Sequence, residues 1–274
     1  MQSKIAEALK MKLEPVAILW SDTPPEHARQ FRPGKWGCVM WMLGAAARGA
    51  TAAFTRETYG CWGGGVGLGF GNCYPSFPGG LECFYRFLSS GNAGWEPGER
   101  VAKAMEAKAS ERFLKNFLEG EGYLADPEVV RQFVQGLPIM EVPTRYVVFK
   151  PLKEVDPARE EPKVVVFLPE PNQLSALVIL ANYRRWAPDN VIIPYAAGCQ
   201  TIGIFPYQEA ARDRPRAVVG LTDISARNNL RKLGRNLLSF AVPWKLLLEM
   251  EGNVQGSFLE RREWKELVGA GGRD

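Results

Sequence analysis

The stretch Tyr59–Gly71, YGCWGGGVGLGFG, constrains the fold more than any other part of the chain. Thr51–Thr58 alternates small or apolar with polar side chains and reads as a strand running into Gly60-Cys61. Beyond it lies backbone almost without side chains. Glycine at this density leaves N–H groups approachable and allows φ > 0, which suits a loop wrapped around an anion, a cluster or a ligand, with Gly63, Gly64, Gly65, Gly67 and Gly69 as the binding backbone. Close packing of backbone on backbone is the alternative. A nucleotide phosphate fits poorly. A dinucleotide site needs a helix opened by GxGxxG and an acidic residue about 20 positions on, whereas FGNCYP is a poor helix start and no Gly-Lys-Ser/Thr follows.

A second Gly-Cys pair, Gly198-Cys199, ends another strand-like run, Val191–Ala197. Around the two pairs the chain repeats one order of elements: strand, helix, strand, Gly-Cys, a glycine-bearing segment, strand. Residues 16–20 correspond to 164–168, 38–48 to 173–186, 52–58 to 191–195, and 145–150 to 216–222. Strands alternating with helices imply an α/β fold with some parallel pairing, because a parallel connection needs a crossover. The expectation is an α/β protein of two pseudo-repeated β-α-β halves forming one compact unit with C-terminal helices. Residues 1–150 hold the glycine loop and Cys61; residues 151–274 hold Cys199 and the closing helices. Pro151–Lys163, charged and carrying Pro157 and Pro162, reads as the linker. Glu99–Glu119 reads as one amphipathic surface helix, and Ser225–Phe240 as a helix after the last strand.

The chain has five cysteines and one histidine, His27. An odd cysteine count over 274 residues argues against a secreted disulfide framework. One histidine nearly excludes mixed Cys/His zinc sites and Ser-His-Asp machinery. Cys38, Cys61, Cys73 and Cys199 are too far apart for a local knuckle, so their meaning depends on whether the fold gathers them; Cys83, beside aromatics in a helix, reads as core. Gathered without histidine, thiolates suit an iron–sulfur cluster first and a closed zinc site second. The rival readings are a Cys61 or Cys199 nucleophile, activated by an arginine or a helix N-terminus, and a non-catalytic small-ligand site. Asp223 and Arg227, in LTDISAR, stand one helical turn apart; they read as a surface pair or as a strand-end acid and its partner facing the site. Trp36, Trp41, Trp62 and Tyr195 read as core or as the lining of an aromatic pocket.

A net charge of +4 spread without a basic block gives no reason to expect nucleic acid. No apolar run is long enough for a membrane helix, and MQSKIAEALKMKLEPVAILW reads as an amphipathic helix entering a strand rather than a secretion signal, so a cytoplasmic location is expected. The expected partners are a small-molecule substrate or a redox protein, and a homo-oligomer is compatible.

The strings GCVMWMLGAAARG, YGCWGGGVGLGF, EPNQLSALVILANY, GCQTIGI and RAVVGLTDISAR, with the segment from FPGGLECFYRFLSSGN to GER, resemble the prokaryotic family numbered 169 among the domains of unknown function. The resemblance spans nearly the whole chain and brings no established reaction. It implies a cytoplasmic protein with cysteines at Cys38, Cys61 and Cys199. It therefore favours a [4Fe–4S] cluster with one position open or filled by a fourth group such as Cys73, in a redox or Lewis-acid enzyme.

Overall fold

The computed structural model describes residues 1–269. They form two units, one built from Met1–Phe70 and from Met140 onward, the other from Gly71–Ile139.

The first unit opens with α1 (Lys4–Ala8), β1 (Val16–Ser21), α2 (Val39–Ala46), β2 (Ala52–Phe54) and α3 (Trp62–Leu68). The second unit holds α4 (Gly80–Leu88), α5 (Glu96–Met105), α6 (Glu111–Glu119) and α7 (Pro127–Gly136). The first unit then resumes with β3 (Tyr146–Pro151), β4 (Val164–Phe167), α8 (Pro171–Asn182), β5 (Val191–Ile192), α9 (Gly198–Ile202), α10 (Ile204–Ala210), β6 (Ala217–Gly220), α11 (Ile224–Leu230), β7 (Ser239–Pro243), α12 (Trp244–Gly252) and α13 (Arg262–Gly269). The protein is mixed α/β. Among the described residues no helix is long and apolar enough to cross a membrane.

The seven strands make one sheet in the order β2-β3-β1-β4-β7-β6-β5. Its centre is a run of apolar strands. Val16–Leu19 and all of Val164–Phe167 are buried, and continuous rather than alternating burial means that both faces of the sheet are covered. Val16 faces Val166 and Ile18 faces Val164 across β1 and β4, while Phe167 faces Phe240 across β4 and β7. One pairing is parallel, β5 with β6; the rest are antiparallel.

The sheet does not reproduce the expected repeat. β3 pairs directly with β1, whereas β7 stands between β4 and β6, the strands assigned to the corresponding places. β2 pairs antiparallel with β3, but β5 pairs parallel with β6. Strand β7 begins inside the stretch expected to be helical to Phe240; α11 ends at Leu230, and the short buried run SFAVP joins the sheet instead.

In the second unit Tyr74 stacks on Phe84 at 4.0 Å, and Phe77 meets Phe84, Phe87, Phe113 and Phe117. Cys83 is buried among them. The single helix expected over 99–119 is two. α5 gives way after Met105, and the Ser110 hydroxyl accepts the Phe113 N–H at 3.2 Å to start α6, as an N-cap serine does.

Candidate functional site

The glycine stretch is not a loop. Trp62–Leu68 is an α-helix, closed by Gly69 in the left-handed region at φ 86°, the usual helix-ending use of glycine. Each glycine inside a helix costs about 1 kcal/mol relative to alanine, so this segment is helical against its own propensity. Packing supplies the reason. A Cβ on Gly67 would lie 2.6 Å from the backbone carbonyl carbon of Cys199, and one on Gly203 would fall on the Gly67 carbonyl oxygen. Helix α3 thus runs backbone to backbone against α9. Gly67 serves that approach, Gly64 instead leaves room for Val39 and the Tyr59 carbonyl, and none of Gly63, Gly64, Gly65 and Gly67 takes the positive φ expected of a ligand-wrapping loop.

The close approach brings the two Gly-Cys pairs together. Cys61 is the N-cap of α3, its sulfur accepting the Gly64 N–H at 3.3 Å. Cys199, in the first turn of α9, donates its thiol to the Gly63 carbonyl at 3.1 Å. Both thiols therefore hold one peptide unit, Gly63–Gly64. In a trans peptide the C=O and N–H point in opposite directions, so the sulfurs sit on its two sides.

Cys38 is the N-cap of α2, without a side-chain capping bond. The N–H groups of Met40 and Trp41 and the side chain of Asn229, on α11, nonetheless lie close enough to favour its thiolate. Asp223 is the N-cap of α11. Its carboxylate accepts the Ala226 N–H at 2.6 Å and, across to α9, the Gly198 N–H at 2.5 Å. The fit at Gly198 is tight, since a Cβ there would stand 3.0 Å from the Ala226 Cβ and 3.2 Å from the Asp223 carboxylate. Four helix N-termini thus meet, carrying three thiols and one carboxyl.

Arg227 makes no pair with Asp223. Its guanidinium donates to the carbonyls of Leu237 at 3.0 Å and Arg235 at 2.9 Å, bracing the segment that leads into β7. Trp36 and Trp41, on either side of Cys38 in sequence, meet edge to face at 5.3 Å and are 58% and 43% exposed. Cys73 belongs to the second unit, at the start of a 3₁₀ turn over Tyr74–Ser76.

Burial dominates the titration of the group. It pushes the Cys61 thiol up to about 12, with the nearby Cys38 charge adding to the effect. It raises Cys199 well above the ordinary thiol value, and Cys61, Cys38 and Asp223 add to this. Cys38 is raised by burial too, but the Met40 and Trp41 N–H groups and Asn229 oppose the rise. The Asp223 carboxyl is raised by burial against the pull of its two N–H donors. Thiolate is the nucleophilic and metal-ligating form, and Cys61 and Cys199 are thiols at neutral pH.

This corrects the cluster expectation. Among the described residues no group of three or more Cys, His, Asp or Glu side chains is placed to hold a metal ion. Cys38, Cys61, Cys73 and Cys199 therefore do not form the ligand set of an iron–sulfur or zinc centre. The physical cause is visible at α3: the Cys61 and Cys199 sulfurs turn to opposite sides of the Gly63–Gly64 peptide instead of toward a shared point. None of the five cysteines is in a disulfide.

Residues 4–253 match the model of the family DUF169, described as uncharacterised ArCR. The chain belongs to this family. Cys38, Cys61, Cys199, Asp223 and Asn229 all fall within the matched span of DUF169. No curated protein and no solved structure matches the chain. Asn229 is the site residue that sequence reasoning missed; an asparagine near a helix end carries no signal until the fold sets it beside a sulfur.

Proposed function

We propose that this member of DUF169 is a thiol enzyme acting on a small, neutral, apolar electrophile, with Cys38 as the attacking sulfur. The observation that carries the reading is the difference among the three thiols. Cys61 and Cys199 are each committed to the Gly63–Gly64 peptide, whereas Cys38 has Met40, Trp41 and Asn229 turned toward it. Asp223 is the carboxyl whose charge Cys38 feels, and its burial raises its affinity for a proton. Substrate charge follows from the surroundings. The Asp223 carboxylate belongs to the site and the Arg227 guanidinium is occupied by backbone carbonyls, which disfavours an anionic substrate. Trp36 and Trp41 offer an aromatic rim to an apolar group.

The test uses the full chain and site-resolved mass spectrometry after limiting iodoacetamide. Cys38 should alkylate about tenfold faster than Cys61 and faster still than Cys199, following thiolate fraction and access, and Asn229→Ala should slow Cys38 with the circular dichroism spectrum unchanged. A neutral aromatic electrophile such as phenacyl bromide should modify Cys38 with a rate that saturates with concentration, the sign of a binding step. Equal rates at the three site thiols, or modification of Cys38 that stays linear in phenacyl bromide, would overturn the proposal.

A further inference from the structure

Three Gly-Cys pairs, not two, meet in the first unit: Gly37-Cys38, Gly60-Cys61 and Gly198-Cys199. The first two touch through their backbones. A Cβ on Gly60 would fall on the Gly37 carbonyl oxygen, and the Phe31 ring covers both glycines, overlapping a Cβ on Gly37 and standing 2.9 Å from one on Gly60. The cysteines that follow are the N-caps of α2 and α3. A Cβ on Gly64, one turn into α3, would lie 2.8 Å from the Val39 side chain and 3.4 Å from the Cys61 sulfur. The start of α2 and the Cys61 thiol therefore share the same small space. Both cysteines keep partial access to solvent, while Cys199 is buried.

A disulfide requires Cα atoms within about 4.4–6.8 Å and Cβ atoms turned toward each other. The backbone contact one residue before each cysteine brings Cys38 and Cys61 near one another, and the Cys38 charge is the strongest one that the Cys61 sulfur feels. In the pair Cys61 and Cys199 the Gly63–Gly64 peptide lies between the sulfurs. We infer that Cys38 and Cys61 are a peroxide-sensitive dithiol, joined reversibly as a disulfide that takes the Cys38 sulfur out of the site.

The chemistry takes two steps. The Cys38 sulfur attacks a peroxide oxygen, the O–O bond breaks, and the products are Cys38 sulfenic acid and water or an alcohol. The Cys61 sulfur then attacks the Cys38 sulfur, the S–O bond breaks, and water leaves as the S–S bond forms. The two thiols lose two electrons in total and the peroxide gains them. Cys38 is oxidised first because sulfenic acid forms where thiolate character and access are greatest. A dithiol such as dithiothreitol reverses the bond by exchange. That the bond silences the protein rests on Cys38 being the attacking sulfur; that the bond forms does not.

The experiment exposes the full chain to hydrogen peroxide, blocks remaining thiols with N-ethylmaleimide and maps peptides by mass spectrometry. A peptide pair linked through Cys38 and Cys61 should appear, N-ethylmaleimide labelling of both should fall at least tenfold, and dithiothreitol should restore it. In Cys61→Ser the sulfenic acid on Cys38 should persist and be trapped by dimedone. Peroxide-treated protein in which Cys38 and Cys61 both remain labelled, or in which the link joins Cys199 instead, would sink the inference. Because the linked peptide is read without any substrate, this result stands or falls separately from the alkylation order that tests the thiol-enzyme reading.

Discussion

Gly60-Cys61 and Gly198-Cys199 are the same dipeptide after strand-like runs, yet the structure uses them differently. Gly60 stands before its helix at φ 85°, in the left-handed region, and turns the chain so that Cys61 can cap α3. Gly198 is already inside α9, and Cys199 follows as a helical residue. The first glycine is needed for its backbone conformation. The second is needed for the space beside Asp223 and Ala226. Cys61 accepts a hydrogen bond and Cys199 donates one, to the same peptide. A shared dipeptide therefore does not imply a shared role; the element it precedes or enters decides.

The severest way to break the comparison is to push the two helices apart. Gly67→Ala improves helix propensity by about 1 kcal/mol but drives a Cβ into the Cys199 backbone, which has no rotamer to change. A net loss of about 3 kcal/mol is expected, read as a lower urea midpoint. A midpoint at or above that of the wild type would mean that α3 and α9 do not pack as described.

A smaller effect separates the two glycines. Gly60→Ala meets both a strained φ and the Gly37 carbonyl oxygen, and should cost about 2 kcal/mol. Gly198→Ala meets the Ala226 Cβ at 3.0 Å and the Asp223 carboxylate at 3.2 Å, contacts that yield by small shifts, and should cost about 1 kcal/mol. Denaturant unfolding of the pair gives the order directly; the reverse order would contradict the division of roles.

A change as small as that at Gly198 is expected at Asp223, which ties Gly198 to α11. Asp223→Ala removes an N-cap and should cost about 1 kcal/mol. Its pH dependence sharpens the assignment. The carboxyl is raised above 3.8 in the folded protein, so the folded state binds the proton more tightly than the unfolded chain. The stability linked to that proton is fully present below 3.8 and is lost as pH rises through the folded value. The gap between wild type and Asp223→Ala should therefore be widest in acid and narrow upward. A gap that widens with pH would show that Asp223 is held as a favoured carboxylate instead.

Much of the sheet was legible in the sequence. Pro15–Trp20, Val164–Leu168 and Arg216–Thr222 are buried apolar runs bounded by polar or proline-bearing segments, and the strands fall there within a residue or two. Cys38–Arg48, apolar almost all round, marks the buried helix α2. Two elements were hidden for opposite reasons. Helix α3 has the worst composition a helix can have, and only contact with α9, far away in sequence, makes it one. Strand β7 is a short strand sequence that runs straight into α12, so periodicity blurs its bounds. At the site, glycine before cysteine pointed to the right residues. The direction in which each sulfur turns is set by backbone hydrogen bonds that the sequence does not display, and that direction separates a metal ligand set from three thiols in separate employment.

Helix α3 floors the site with atoms that have no side-chain alternatives. Four of its seven residues have no rotamers to freeze or repack, so a change of ligand cannot be accommodated by reshaping the floor, and a substitution there damages folding before it alters selectivity. The adjustable part is the rim: Trp36 and Trp41 project into solvent, outside the backbone-to-backbone seam. Within such a scaffold, chemistry and selectivity become separable traits, the first locked to a rigid surface and the second free to drift at residues whose exchange the fold does not register.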